Sequence, residues 1–316
     1  MYILVVIFMY GLWSSVFALG KDALGHAPPV FLTAFRMLLA GILLSGYLLL
    51  MKRKELKVFK THFWPLLLLG FFSIYLTNIC EFWGLKHISA AKTCFIYSLS
   101  PFLAAIFSYF HFGEKINKTK FIGMAIGFLG FIPVLATQSG AEELFSAVGF
   151  VSWPEIAVMG AAAFSVYGWI LLRIVVRGND VSPLAANGIS MVVGGLMALV
   201  HSFFVESVVP MPFSAEHFPS FMKGILLMTL ISNIICFNLY GFMLRRFTAT
   251  FLSFMGLLSP IFASFNEWLI LGQSPNWMIF LGTGIVCCGL FIVYQAELRQ
   301  GYITRSPSKE SKAQQA

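Results

Sequence analysis

The segment Leu99–Val134, LSPFLAAIFSYFHFGEKINKTKFIGMAIGFLGFIPV, lies without a gap over Leu258–Val293, LSPIFASFNEWLILGQSPNWMIFLGTGIVCCGLFIV. Leu99-Ser100-Pro101 matches Leu258-Ser259-Pro260. Ala104, Gly113, Asn117, Phe121, Gly123, Ile126, Gly130 and Val134 meet the same residue type in the second copy. Each copy reads as two apolar runs joined by a short polar turn. The likeness extends one run further back, where Glu81-Phe82-Trp83-Gly84-Leu85 lies over Asn238-Leu239-Tyr240-Gly241-Phe242. The two halves of the chain are therefore related.

Outward from this repeat, apolar runs cover nearly the whole chain. Of its 316 residues 59% are hydrophobic and 11% charged, and the mean hydropathy is +0.84, far outside the soluble range. Most runs are about 18–23 residues long, enough for a helix to cross about 30 Å of hydrocarbon. Barrel strands would be about 10 residues long with polar alternation, a pattern that is missing. The runs predict ten spans: Tyr2 to Leu19, Val30 to Met51, Phe63 to Leu85, Ala91 to His111, Phe121 to Thr137, Pro154 to Val176, Leu184 to Phe204, Phe221 to Leu244, Ala249 to Leu271 and Trp277 to Ala296. The expected fold is an all-α integral membrane protein with one five-helix repeat at 1–138, an external linker at 139–153, a second repeat at 154–297 and a disordered cytoplasmic tail at 298–316. Five spans per half is an odd number, so the copies cross the bilayer in opposite directions, the inverted arrangement of secondary transporters.

Charge placement sets the expected orientation. With both termini cytoplasmic, sixteen of the 21 Lys and Arg residues fall on the inside, in clusters such as Lys52-Arg53-Lys54, Lys115 to Lys120 and Arg245-Arg246, as the positive-inside rule requires. The net charge of +8 is then a topology signal and no indication of nucleic acid. Met1 runs almost directly into the first span without a charged leader, so no cleaved signal peptide is expected. The five cysteines and six histidines lack metal-ligand spacing, and neither metal nor cofactor is expected.

Ionisable groups inside a span are costly and mark candidate sites. Arg36, Glu81, Lys92 and Glu267 are predicted at similar depth near the outer ends of their spans and sum to zero charge, which suits mutual ion pairs or a zwitterionic guest. Asn78 stands three residues before Glu81 on the same helix face, with Tyr75 and Trp83 nearby. Asn238 and Tyr240 on the eighth span and Asn266 on the ninth complete the candidate list, although intramembrane Asn also serves as interhelical glue. Abundant aromatic residues, 34 Phe among them, supply lipid-facing and packing surface, and a minority could stack a planar or cationic ligand. Pro101 and Pro260 are expected to kink the fourth and ninth spans. Gly123 and Gly127 suit close helix packing or a homodimer face, and Glu114 suits a brace at a cytoplasmic turn.

The residues Gly84-Leu85-Lys86, Ser89-Ala90, Pro101, Gly113-Glu114 and Gly123 form a pattern that resembles the EamA-type drug/metabolite transporter superfamily. The second half keeps Ala249, Pro260, Gly272 and Gly282, with Gln273 where the pattern has Glu and Glu267 earlier in the helix. The resemblance covers the chain up to the polar tail. It implies an inner-membrane secondary carrier of a small metabolite working by alternating access. No catalytic constellation or phosphate loop favours an intramembrane enzyme or ATP coupling, and a channel fits inverted five-helix halves less well. Opposite charges with aromatic neighbours suit an amino-acid-like metabolite. S-adenosylmethionine exchanged for S-adenosylhomocysteine is the specific expectation, since one branch of the family takes up the former. Export of amino acids or drugs is the alternative. The topology is directly testable: a cysteine placed by Ser306→Cys is expected to stay unreactive toward an impermeant thiol reagent added to intact cells, and labelling from outside would overturn the orientation.

Overall fold

A computed structural model describes residues 2–56, 62–88, 93, 96–139, 152–177, 181–206, 218–259, 261–262 and 277–303. Their regular structure is entirely helical. The longer helices among the described residues are α1 (Tyr2–Leu24), α2 (Pro29–Met51), α3 (Phe63–His87), α4 (Ser100–Phe112), α5 (Lys118–Ser139), α6 (Trp153–Arg177), α7 (Pro183–Val205), α8 (Phe218–Met243), α9 (Ala249–Leu258) and α10 (Trp277–Arg299), and a short helix, Arg53–Leu56, follows α2. Of these, α2, α3, α6, α7, α8 and α10 are long and apolar enough to cross a membrane. Most ends fall within a few residues of the expected spans. The helix α1 runs five residues past Leu19, and the described part of the fourth span begins α4 only at Ser100. Pro101 sits in the first turn of α4, behind a turn at Ser98-Leu99. Residues 96–97 before that turn are helical too, so the fourth span is interrupted at the proline, where the sequence predicts a kink, because Pro101 has no N–H to continue the helical hydrogen bonds. Pro260 lies outside the described residues.

Lipid tails are as apolar as leucine, so helices in a membrane associate through packing and hydrogen bonds, and small residues allow the closest approach. Two antiparallel pairs, α2 with α7 and α5 with α10, show this. A Cβ on Gly41 would stand 2.7 Å from Val192 N, and one on Gly195 3.0 Å from Leu38 N. A Cβ on Gly289 would meet Gly127 N at 2.6 Å and Gly123 O at 2.7 Å. Gly123 and Gly127 are therefore covered by α10 within the chain, and any homodimer face lies elsewhere.

The α2/α7 pair is also capped reciprocally. Glu206, just past the end of α7, accepts hydrogen bonds from Val30 N at 2.8 Å and Phe31 N at 2.7 Å, where the N-cap, Pro28, has no side chain to do so. Glu55, just past α2, accepts from the hydroxyl of Ser182, the N-cap of α7. Each helix thus sends a carboxylate to the positive end of the other.

Buried ion pairs brace one end of the bundle. Lys120 at the start of α5 meets Glu297 near the end of α10 at 2.7 Å, and Thr248 donates to the same carboxylate at 2.6 Å. Glu114, the residue expected as a brace, meets Arg173 of α6 at 2.7 Å, and the guanidinium lies 4.3 Å from the centre of the Phe112 ring.

The sequence pattern does not foretell the π-helical stretches Gly70–Leu76 in α3 and Thr229–Cys236 in α8. Such turns widen the helix and free carbonyl groups. Asn78 and Asn238 follow them and satisfy those carbonyls in the same way. Each Nδ2 donates to the carbonyls four and five residues earlier, at 2.8 and 3.4 Å for Asn78 and at 2.8 and 3.3 Å for Asn238. By these bonds Asn238 corresponds to Asn78, three residues from the Glu81 that the sequence overlay sets against it.

Because the α5/α10 contact is backbone against backbone, Gly289→Leu is expected to destabilise the protein by about 3 kcal/mol or more, as overpacking does. Gly284→Ala, at a position open for 4 Å around, should leave thermal unfolding in detergent unchanged. Equal effects of the two would remove the packing role.

Candidate functional site

Between the helix pairs lies a cavity of about 190 Å³, lined by residues of α1, α2, α3, α4, α6, α8 and α9 together with Tyr97 and Ser98 just before α4. Its lining divides by chemistry. Arg36, Asn78, Glu81 and Tyr97 form a polar end, while Tyr10, Trp13, Trp169, Phe237 and Tyr240 form an aromatic wall. Ser73, Ser98, Ser165, Ser232 and Ser253 add hydroxyls around the space.

Helix geometry explains the division. At 1.5 Å per residue, Arg36 stands about 10 Å past the start of α2 and Glu81 about 9 Å before the end of α3, at the same face of the bundle. Trp13 is about 16 Å from either end of α1, at the middle of the helix. Trp169 and Tyr10 lie about 12 Å from the opposite face.

At the polar end, Arg36 is 3% exposed and donates from Nη2 to Asn78 Oδ1 at 2.5 Å. Its guanidinium lies 5.1 Å from the centre of the Phe82 ring. Glu81 accepts from the Tyr97 hydroxyl at 2.7 Å. The two opposite charges line one cavity without a direct ion pair, each engaged by a neutral partner. In the aromatic wall the Trp169 and Tyr240 rings stand 4.1 Å apart, and Trp13 meets Trp169 edge-on at 6.0 Å and Phe237 at 5.6 Å. The Tyr10 hydroxyl donates to Leu252 O at 2.6 Å, joining α1 to α9. Among the described residues no group of His, Cys, Asp or Glu is gathered to hold a metal ion.

Of the residues singled out in the sequence, Arg36, Asn78, Glu81 and Tyr240 line this cavity. Tyr75 does not: it stacks on Phe71 at 5.8 Å and meets His201 edge-on, toward α7. Trp83 is exposed on the outer surface of α3 and packs on His87. At 3.6 residues per turn Trp83, two residues past Glu81, points away from the face that carries Asn78 and Glu81, whereas Tyr75 lies within the π-helical stretch Gly70–Leu76, where that register does not hold. Asn238 is glue, its Oδ1 accepting from Asn187 Nδ2 at 3.1 Å. Lys92, Asn266 and Glu267 lie outside the described residues.

Tyr10, Trp13, Tyr97, Trp169 and Phe237 are cavity residues that the sequence reading does not pick out. One signal for them exists: Tyr10-Gly11-Leu12-Trp13 and Tyr167-Gly168-Trp169 repeat a Tyr-Gly step followed by Trp in the first span of each half.

The EamA-like transporter family matches residues 1–136 and again residues 152–295. The chain belongs to this family. A protein of Chlamydia muridarum described as an S-adenosylmethionine/S-adenosylhomocysteine transporter is 40% identical over 297 residues, covering 93% of this chain and 92% of the relative. The protein of the same description from Chlamydia trachomatis serovar L2 is 39% identical, over 93% of this chain and 89% of the relative. The transporter YoaV of Bacillus subtilis is 24% identical over 89% and 92% of the two chains. One solved crystal structure superposes with a TM-score of 0.72 at 17% identity, covering 92% of this chain and 96% of that one, a likeness of fold. The protein is thus a multi-pass membrane transporter of a small molecule.

In this transporter Glu81→Gln keeps an oxygen to accept from Tyr97 and removes the charge. Transport is expected to fall about 10-fold or more, the worth of a charge-assisted hydrogen bond, with thermal stability unchanged. Undiminished transport at normal expression would assign Glu81 a packing role.

Proposed function

We propose that this chain crosses the inner membrane ten times as two inverted five-helix repeats, with both termini cytoplasmic, and exchanges S-adenosylmethionine for S-adenosylhomocysteine by alternating access. The carrying observation is the composition of the cavity: one buried cation and one carboxylate at one end, and indole and phenol rings beyond them. A zwitterionic amino-acid group matches the first and an adenosyl group the second. Aromatic faces also attract a sulfonium cation and accept a thioether, so one wall serves both partners of the exchange. The names of the two chlamydial relatives agree with this substrate pair.

Two family matches in one chain support the repeat. So do the antiparallel pairing of α2 with α7 and α5 with α10, the reciprocal carboxylate caps, and the shared device of Asn78 and Asn238. Two copies related by an axis in the membrane plane carry each such feature twice, pointing in opposite directions. At about 190 Å³ the cavity is smaller than the roughly 300 Å³ and more that ligand sites usually offer. Binding a nucleoside-bearing substrate therefore requires the halves to part, as alternating access provides. Lys92 and Glu267, predicted at the depth of Arg36 and Glu81, complete the proposed charge belt, with Asn266 beside them.

Proteoliposomes loaded with S-adenosylhomocysteine are expected to take up labelled S-adenosylmethionine several-fold faster than empty ones. External S-adenosylhomocysteine should compete and aromatic amino acids should not. The incoming substrate carries one positive charge more than the outgoing one, so an inside-negative potential should accelerate exchange. Inhibition by aromatic amino acids alone would favour the alternative, amino-acid export.

A further inference from the structure

We infer that Arg36 anchors a carboxylate of the transported molecule and that Asn78 is its positioning residue; this rests on the reading that the cavity carries an amino-acid-bearing metabolite. The decisive comparison lies within the protein. Asn78 and Asn238 hold their helices' backbones by the same pair of hydrogen bonds, and each presents its Oδ1 to a donor from a neighbouring helix. For Asn238 that donor is the neutral amide of Asn187 at 3.1 Å. For Asn78 it is the guanidinium of Arg36 at 2.5 Å. A neutral side chain therefore performs the interhelical link in one half, and a permanent charge at membrane depth is costly. The link alone gives no reason for an arginine.

Arg36 also has binding capacity left over. A guanidinium carries five N–H donors in a planar fork that fits a carboxylate in two places. Among the described residues Nε has no hydrogen-bond partner although it is buried, and the residue lines the cavity. Glu81, the opposite charge in the lining, accepts from the Tyr97 hydroxyl and, among the described residues, forms no direct ion pair with Arg36. One bond to Asn78 and the Phe82 ring beneath fix the plane of the fork. Because the equivalent link at Asn238 is neutral, of the two links only that at Asn78 can anchor a ligand by its carboxylate. Its carboxylate then stands at the polar end and its remainder extends toward Trp13 and Trp169.

The test uses purified full-length protein and two competitors against labelled S-adenosylmethionine: S-adenosylhomocysteine, and decarboxylated S-adenosylmethionine, which keeps the sulfonium and amine and lacks the carboxylate. In the unaltered protein the decarboxylated compound is expected to compete about 30-fold or more less well, in the range for an unmatched buried charge. In Arg36→Gln, which retains an amide donor for Asn78, affinity for S-adenosylmethionine should fall to that of the decarboxylated compound, whose own affinity by thermal shift should not change. An equal loss for both ligands would make Arg36 structural and overturn the inference, as would absence of discrimination in the unaltered protein. Asn78→Ala provides a second route if Arg36→Gln does not fold: it should weaken the carboxylate-bearing ligand more than the decarboxylated one, and equal weakening overturns the role of Asn78. If the unaltered protein binds neither adenosyl compound, the proposed substrate falls and tryptophan with tryptamine replaces the pair. The role of Arg36 then stands if discrimination between these two depends on Arg36, and falls if it does not.

Discussion

The antiparallel contacts of α2 with α7 and of α5 with α10 are close backbone approaches that join the first part of the chain to the second. In a solvent as apolar as the side chains themselves, burial does not drive helices together, so they meet where backbone can touch backbone and where polar groups find partners. Glycines at 41 and 195, and at 123, 127 and 289, provide the first condition. The carboxylates of Glu206 and Glu55 on opposite helix ends provide the second. Helices α3, α6 and α8 pack against this frame, and residues of both halves of the chain line the cavity.

The charges buried in this frame fall into two kinds. Lys120 with Glu297, and Arg173 with Glu114, are matched directly and tie helices of different halves together. Removing one member of such a pair strands the other, at a cost of about 3–5 kcal/mol, so these pairs serve position. Arg36 and Glu81 share a cavity and do not pair; each is held by a neutral hydrogen-bond partner. Charges kept apart in this way remain available to a guest of opposite polarity. The π-helical turns contribute to the same end, because they free carbonyls that orient Asn78, and Asn78 in turn orients the guanidinium.

Much of the architecture is legible in the chain because lipid makes local properties decisive. Run length, the placement of Lys and Arg and the ungapped overlay of the two halves locate most helices to within a few residues. The expected kink at Pro101 takes the form of a turn at Ser98-Leu99 between helical residues 96–97 and α4, since a proline in an apolar run marks where helical hydrogen bonds are lost and not whether the helix bends or restarts there. In the site, Arg36, Asn78 and Glu81 stood out because a polar group in an apolar run is rare. Trp13, Trp169 and Phe237 did not, since aromatic side chains are common in every span and identity does not distinguish a lipid-facing ring from a cavity-facing one.

The sequence by itself determined that the protein is a helical membrane protein made of two related halves, and which residues of its apolar runs carry charge, because hydropathy and spacing are properties of the chain taken piece by piece; transport was implied by the family resemblance. Only the tertiary structure decided which polar residues face one another. Asn78 meets Arg36 while Asn238 meets Asn187; Tyr240 turns inward and Tyr75 outward. The physical reason is rotation: the face a helix shows to the cavity depends on where its glycines touch a helix more than a hundred residues away, and on a π-helical turn that shifts every later side chain around the axis.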